Sequence, residues 1–165
     1  MSYYVGVPLI VLIALIEASV LPLFRVASLQ PNLTLVFLVT WMMVRGQKEA
    51  LVLIPIAGIS LGLVDGAPIG AALLAIAPIA VLYDLRDVHL GEGQFSTTLL
   101  FTFIATFAYQ LVFLLTYVIF GDSGSWIEAF MQIVAPTAIL NLACAVPIYF
   151  AVWVMSGDTR RATFA

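Results

Sequence analysis

Six apolar runs separated by short polar turns take up most of this chain of 165 residues, and they leave it few ways to fold. A helix crossing a bilayer needs about 20 mostly apolar residues, fewer where neighbouring helices shield an irregular backbone. The runs are Tyr3 to Phe24, Pro31 to Val44, Ala50 to Val64, Ala67 to Tyr83, Ser96 to Phe120 and Pro136 to Met155. With 64% hydrophobic and only 9% charged residues, the composition is far from that of a water-soluble domain. The predicted fold class is therefore an all-α membrane protein with six transmembrane helices, forming one integral membrane domain over residues 1–165. The second to fourth runs are short. At about 1.5 Å per residue, Pro31 to Val44 covers only about 21 Å of a hydrocarbon core near 30 Å, so such a helix must lean on its neighbours.

The turns carry the punctuation that breaks helices: Arg25 to Gln30, Arg45 to Glu49, Asp65-Gly66, Asp84 to Phe95 and Gly121 to Ser125. Ser125-Trp126-Ile127-Glu128 has capping-box spacing and predicts an interfacial helix that bends at Pro136 into the sixth span. No Lys or Arg precedes the first run and no small-residue cleavage site follows it, so Tyr3 to Phe24 reads as a retained helix rather than a signal peptide. Six spans put both termini on one side. Arg45, Lys48, Arg86, Arg160 and Arg161 fall on that side and only Arg25 on the other, which makes the terminal side cytoplasmic. The outer face then carries Arg25, Asn32, Asp65 and Asp122, and the inner face the charged Asp84 to Glu92 loop and a short polar tail.

Several function classes drop out. The 6 Lys and Arg against 9 Asp and Glu contain no basic run or aromatic-basic alternation, so nucleic-acid partners are not expected. The lone Cys144 permits neither an internal disulfide nor a thiolate metal cluster, and it reads as a small apolar core residue. His89, near Asp87 and Glu92, reads as a solvated loop residue rather than a metal ligand. No Ser/His/Asp set, H-E-x-x-H motif, P-loop or paired carboxylates with a histidine occurs, so neither an enzyme nor a cofactor is expected.

Polar side chains inside the runs are few: Glu17, Asp65, Gln110 and Asn141. An ionised group at mid-membrane costs at least about 2.5–3.5 kcal/mol, which makes each a functional candidate. Glu17 lies about 8 Å below the outer boundary at Pro22 and must be protonated, paired or facing a hydrated cavity. Arg25 and Asp65 fall at the same level, so one arrangement is a Glu17, Arg25, Asp65 cluster. In the other, Arg25 snorkels to headgroups and Asp65 caps the turn before the fourth helix.

Gly58, Gly62 and Gly66 recur at spacing four, with Asp65 on nearly the same face. Such a groove lets helix backbones approach closely in lipid. It serves either as a docking seam for a partner helix or as an internal seam against the Ala-rich fourth run, Gly70 to Ala80. Ala138, Asn141 and Ala145 make a similar narrow face on the sixth run. Pro8, Pro55, Pro68, Pro78, Pro136 and Pro147 fall in or beside spans, as in transporters with broken helices, but the polar groups that line transporter sites are too few here.

Leu29-Gln30-Pro31-Asn32-Leu33-Thr34-Leu35, then Gly58-Ile59-Ser60-Leu61-Gly62-Leu63-Val64-Asp65, then Gly70-Ala71, resemble the MreD family of bacterial rod shape-determining membrane proteins. So do the chain length and a first helix with an acidic residue before a proline (Glu17, Ser19, Pro22). The resemblance runs from Glu17 to Asp84, with hydropathy alone agreeing beyond. The family's Asp after Pro is Asn32 here, which keeps a capping role and removes a charge.

The resemblance implies a scaffold of the elongasome in the bacterial plasma (inner) membrane. It would bind MreC beside RodA, the class B penicillin-binding protein and MreB filaments, with membrane lipid around it. The family is also similar in fold to S-components of energy-coupling-factor transporters, and a vitamin-binding S-component is the alternative function. Under the scaffold reading Gly58, Gly62, Gly66 and Gly70 serve close helix approach, Asp65 with Arg25 fixes the outer turns, and Glu17 is a buried polar anchor.

Overall fold

The computed structural model describes residues 3–19, 30–64, 69–82, 94–119 and 134–161, and every regular element among them is helical. In chain order they are α1 (Tyr3–Ser19), α2 (Leu33–Arg45), α3 (Gln47–Val64), α4 (Ile69–Ile76), α5 (Pro78–Leu82), α6 (Gln94–Ile119) and α7 (Ala135–Arg161). The stretches over Gln94–Leu115 and Ala135–Ser156 are each long and apolar enough to cross a membrane. Tyr4–Ser19, Leu33–Arg45 and Gly70–Val81, the last broken at Ala77, are shorter apolar helical stretches.

Element ends differ from the sequence expectation in physically simple ways. The polar turn placed at Arg45 to Glu49 shrinks to Gly46 alone, whose φ of 105° lies in a region that glycine enters without steric cost. Its N–H closes onto Met42 O at 3.0 Å, and α3 starts directly at Gln47. The fourth run is not one helix. Pro78 has no N–H to donate, so after Ala77 N bonds to Leu73 O the chain tightens through Ala80 N to Ala77 O, both at 3.0 Å, and restarts as α5. The helix carrying the sixth run is longer than the run itself; α7 continues past Met155 through Ser156 to Arg161. The interfacial helix expected at Ser125 to Glu128 lies outside the described residues.

α2 is the axis of the bundle. Its 13 residues span about 20 Å, and every side chain from Thr34 to Val44 is buried among α1, α3, α6 and α7. A helix too short to match the hydrocarbon thickness is sheltered here by protein on all sides, which is how such helices persist in lipid. Leu35, Leu38, Trp41 and Met42 pack with Ile10 of α1, Leu53 and Leu61 of α3, Ile76 and Ile79 of α4 and α5, Phe101 of α6 and Tyr149 of α7. The outer faces are as apolar as the interior, with Tyr4, Leu12, Leu63, Leu74, Ile139, Phe150 and Trp153 exposed. That pattern suits hydrocarbon and not water.

α3 and α4 are the most extensively packed pair, and Gly58 is the reason they can be. A Cβ at Gly58 would lie 2.8 Å from Leu73 Cδ1 and 2.9 Å from Leu73 Cα. The second atom is backbone and cannot swing aside. Gly70, by contrast, is exposed, with no heavy atom of the described residues within 4 Å of such a Cβ. Gly58→Ala should therefore lower stability by about 1–3 kcal/mol through overpacking, whereas Gly70→Ala should be neutral or stabilising. Thermal melts of the two variants in mild detergent check this; equal midpoints would refute the close approach.

Candidate functional site

The buried polar groups of the described residues are concentrated where four helices meet around the start of α2. The first N–H groups of any helix lack partners within the helix, and burial deprives them of water as well. Asn32, the N-cap, accepts from Leu35 N at 2.8 Å through its side chain, while its carbonyl takes the first ordinary helix bond, from Val36 N at 3.1 Å. The acceptor for Thr34 N comes from another helix. Glu17, in the last turn of α1, places Oε2 2.8 Å from Thr34 N and 2.7 Å from the Thr34 hydroxyl, which both donate to it.

The network continues through Asn141 of α7. Its Oδ1 accepts from Asn32 N at 2.7 Å, and its Nδ2 donates to Thr106 Oγ1 of α6 at 3.0 Å. Thr106 passes its own proton to Thr102 O at 2.8 Å, Thr102 to Thr98 O at 2.8 Å, and Thr98 to Gln94 O at 2.7 Å. At the other end of this threonine stripe the Gln94 amide donates to Met43 O at 2.8 Å, in the last turn of α2. Both ends of α2 are thus pinned: its start to α1 and, through Asn141, to α7 and α6, and its end to α6. Hydroxyls that donate to the carbonyl four residues back present little unsatisfied polarity to a neighbouring helix.

A second polar cluster lies at the Arg45 end. Arg45 holds its guanidinium 5.0 Å above the Trp41 ring and donates from Nη2 to Met155 O of α7 at 3.3 Å. Trp41 Nε1 donates to Glu49 Oε2 at 3.2 Å, and Gln47 Nε2 to Ala80 O at 3.4 Å.

Of the residues singled out from sequence, Glu17 and Asn32 come together at the start of α2, and Gly58 with the buried Gly62 lies on α3. Asn32 caps α2 as its residue type suggested, and it is buried, with its backbone N–H and its side chain both engaged inside the bundle. Asn141 makes two bonds to other parts of the bundle, and Ala138 and Ala145 beside it are buried. Gln110 and Cys144 are half-buried. Arg25, Asp65, Gly66 and His89 lie outside the described residues, so the Glu17, Arg25, Asp65 cluster has no described geometry. Thr34 and the Thr98, Thr102, Thr106 stripe went unread in the sequence, although threonines at spacing four on one helix face were visible there. Among the described residues no three His, Cys, Asp or Glu side chains gather as metal ligands.

The arrangement joins helices to one another. The family model for the rod shape-determining protein MreD matches residues 2–156. The chain belongs to the MreD family. No curated protein and no solved structure matches the chain. The family match extends well past Asp84, where the sequence resemblance had ended, and takes in α6 and most of α7, so the whole polar network of this MreD-family chain falls inside it. Membership makes it a shape-determining protein of the membrane, a structural role.

Asn141→Ala should leave Asn32 N–H buried without its acceptor and lower stability by about 1–3 kcal/mol, while Thr106→Val, which keeps shape and removes the hydroxyl, should cost about 0.5–1.5 kcal/mol. The double variant should lose less than the sum, since both changes break one bond. Detergent melts of the four proteins check this, and strict additivity would show that the Asn141 to Thr106 bond carries no coupling.

Proposed function

We propose that this chain is a non-catalytic scaffold of the elongasome, a single membrane domain of six spans in the bacterial plasma (inner) membrane with both termini in the cytoplasm. It binds MreC and links it to RodA and the class B penicillin-binding protein, with MreB filaments on the cytoplasmic side and lipid around the spans. The observation that carries this reading is the match to a rod shape-determining family along nearly the whole chain. The bundle supports it, because buried Glu17, Asn141 and Thr106 take part in ties between helices and the external faces of the described helices are apolar. Short α2 and the broken α4 and α5 are in keeping with the irregular early helices expected of an S-component-like fold. No observation favours the transporter function itself.

Within this reading the glycines divide by role. Gly58 serves the internal seam with α4, and Gly62 shares its helix. Gly70, exposed among the described residues, is the position at which a partner helix can approach, and Gly66, outside those residues, is assigned the same role from its spacing in the sequence. Asp65 and Arg25 fix the outer turns as an ion pair.

A tagged copy expressed in a rod-shaped bacterium lacking its own MreD should restore rod shape and bring down MreC in mild detergent. Recovery of a transporter ATPase pair or a bound vitamin would replace the scaffold with the transporter. Gly70→Leu should reduce MreC recovery several-fold without changing the melting midpoint; unchanged recovery removes Gly70 from the interface. Arg25→Asp and Asp65→Arg should each impair shape rescue and together restore it, and a double swap as defective as the singles would exclude the pair.

A further inference from the structure

Gln94, Thr98, Thr102 and Thr106 recur at spacing four along α6, and Gln110 is the next member of the series. An α-helix turns about 100° per residue, so each step of four carries the series about 40° around the helix. Gln94 bonds to α2 at Met43 O, Thr98 and Thr102 are buried with their hydroxyls on the carbonyl four residues back, and Thr106 meets Asn141 of α7. Gln110 lies about 160° round from Gln94 and about 40° beyond the residue that meets α7, where it is half-buried. No hydrogen bond among the described residues engages its amide.

Depth gives this amide its consequence. α6 contains a stretch long and apolar enough to cross a membrane, and Gln110 lies about 24 Å along the helix from Gln94 and about 14 Å from Ile119. A hydrocarbon core near 30 Å thick holds no water at that level, and a primary amide without a partner there is costly. Beside it the surface is hollow. Ile104, Phe107, Ala108, Leu111 and Leu114 of α6, with Val134 just before α7, line an apolar cavity of about 270 Å³. Phe107 and Leu114 stand three residues before and four after Gln110, which puts the amide at the cavity's edge. Leu111 on the cavity wall is 57% exposed, so the hollow opens away from the bundle.

We propose that this face of α6 docks a second copy of the chain, with the two α6 helices parallel about a twofold axis normal to the membrane and their Gln110 amides bonded to each other. A lipid tail can fill an apolar cavity but offers an amide neither donor nor acceptor. A helix of another protein has to carry a polar group at this one depth. A second copy in the same orientation brings Gln110 to the same depth by symmetry, and a carboxamide, with both N–H and carbonyl, is its own complement. Leu111 of each copy then enters the cavity of the other, since a cavity of about 150 Å³ already takes a benzene ring. Surface fit and hydrogen bonds from residues such as Gln are what hold helices together in lipid. The inference rests on α6 crossing the membrane and goes beyond the scaffold reading, and no other protein enters its test.

Cys144 is the chain's one cysteine, so Cys144→Ala in the full-length protein gives a background in which a single new cysteine reports whether a position meets its own copy. Oxidation in native membranes should crosslink Leu111→Cys and Leu114→Cys, and spare Leu74→Cys and Phe150→Cys, which are exposed on α4 and α7. By sedimentation equilibrium in mild detergent, Gln110→Leu should raise the Kd of the dimer about 3- to 30-fold. The melting midpoint of the dilute protein should not fall with that substitution, whereas a residue serving only its own fold would lower it. No crosslink at either α6 position, crosslinks through Leu74→Cys or Phe150→Cys in their place, or a Gln110→Leu protein that dimerises as tightly as wild type overturns the proposal. A monomer that co-purifies with phospholipid overturns it too and gives the cavity to an acyl chain. Should Gln110→Leu fail to fold, the crosslinks in the Gln110 background decide the matter alone.

Discussion

A helix that begins inside an apolar bundle must find acceptors for its first N–H groups within the protein. That requirement organises this structure. α2 begins at Leu33 with its N-cap buried, and the acceptors it needs come from Asn32, from Glu17 on α1 and, for the cap's own N–H, from Asn141 on α7. Each acceptor drags its helix into place. Asn141 then needs an acceptor for its own amide hydrogens and takes Thr106 of α6. Three helices that share little sequence proximity are thereby set around one helix end.

Close approach completes what the polar ties begin. In lipid there is no hydrophobic force to press one apolar helix against another, so packing has to come from surface fit and from hydrogen bonds. Gly58 lets α4 reach the α3 backbone at Leu73, and Gly6 brings α1 within 3.1 Å of Trp41 Cζ2 for a hypothetical Cβ. The Gly46 turn folds α3 back along α2 with one residue between them. At the far end Arg45, stacked on Trp41 and bonded to α7, does for the end of α2 what Glu17 does for its start. A bundle held in this way keeps its polar groups inside and leaves hydrocarbon-compatible faces outside, which suits a protein whose family role is structural.

How much of this was legible beforehand varies with the range of the interaction. The apolar runs, the capping Asn32 and the break risk at Pro78 rest on local chemistry and could be read directly. Glu17 could be flagged as costly and in need of a partner, yet nothing local to it pointed to Thr34, because that contact depends on where α2 begins relative to the last turn of α1. The threonine stripe was missed for a related reason: Thr is unremarkable in an apolar helix until a neighbour shows which face is covered. Asn32 could be read as a cap, but its burial could not, because it depends on Asn141 reaching it across the bundle.

Sequence alone determined the helical class, the short length of α2, the absence of charge along α6 and the family, since backbone satisfaction in an apolar medium and local motifs leave little freedom there. Tertiary structure decided that α2 is central, that Gly58 faces α4 while Gly70 stays open, and that Glu17 serves α2. Those outcomes depend on contacts between residues far apart in the chain, and no local pattern specifies which buried donor will meet which buried acceptor.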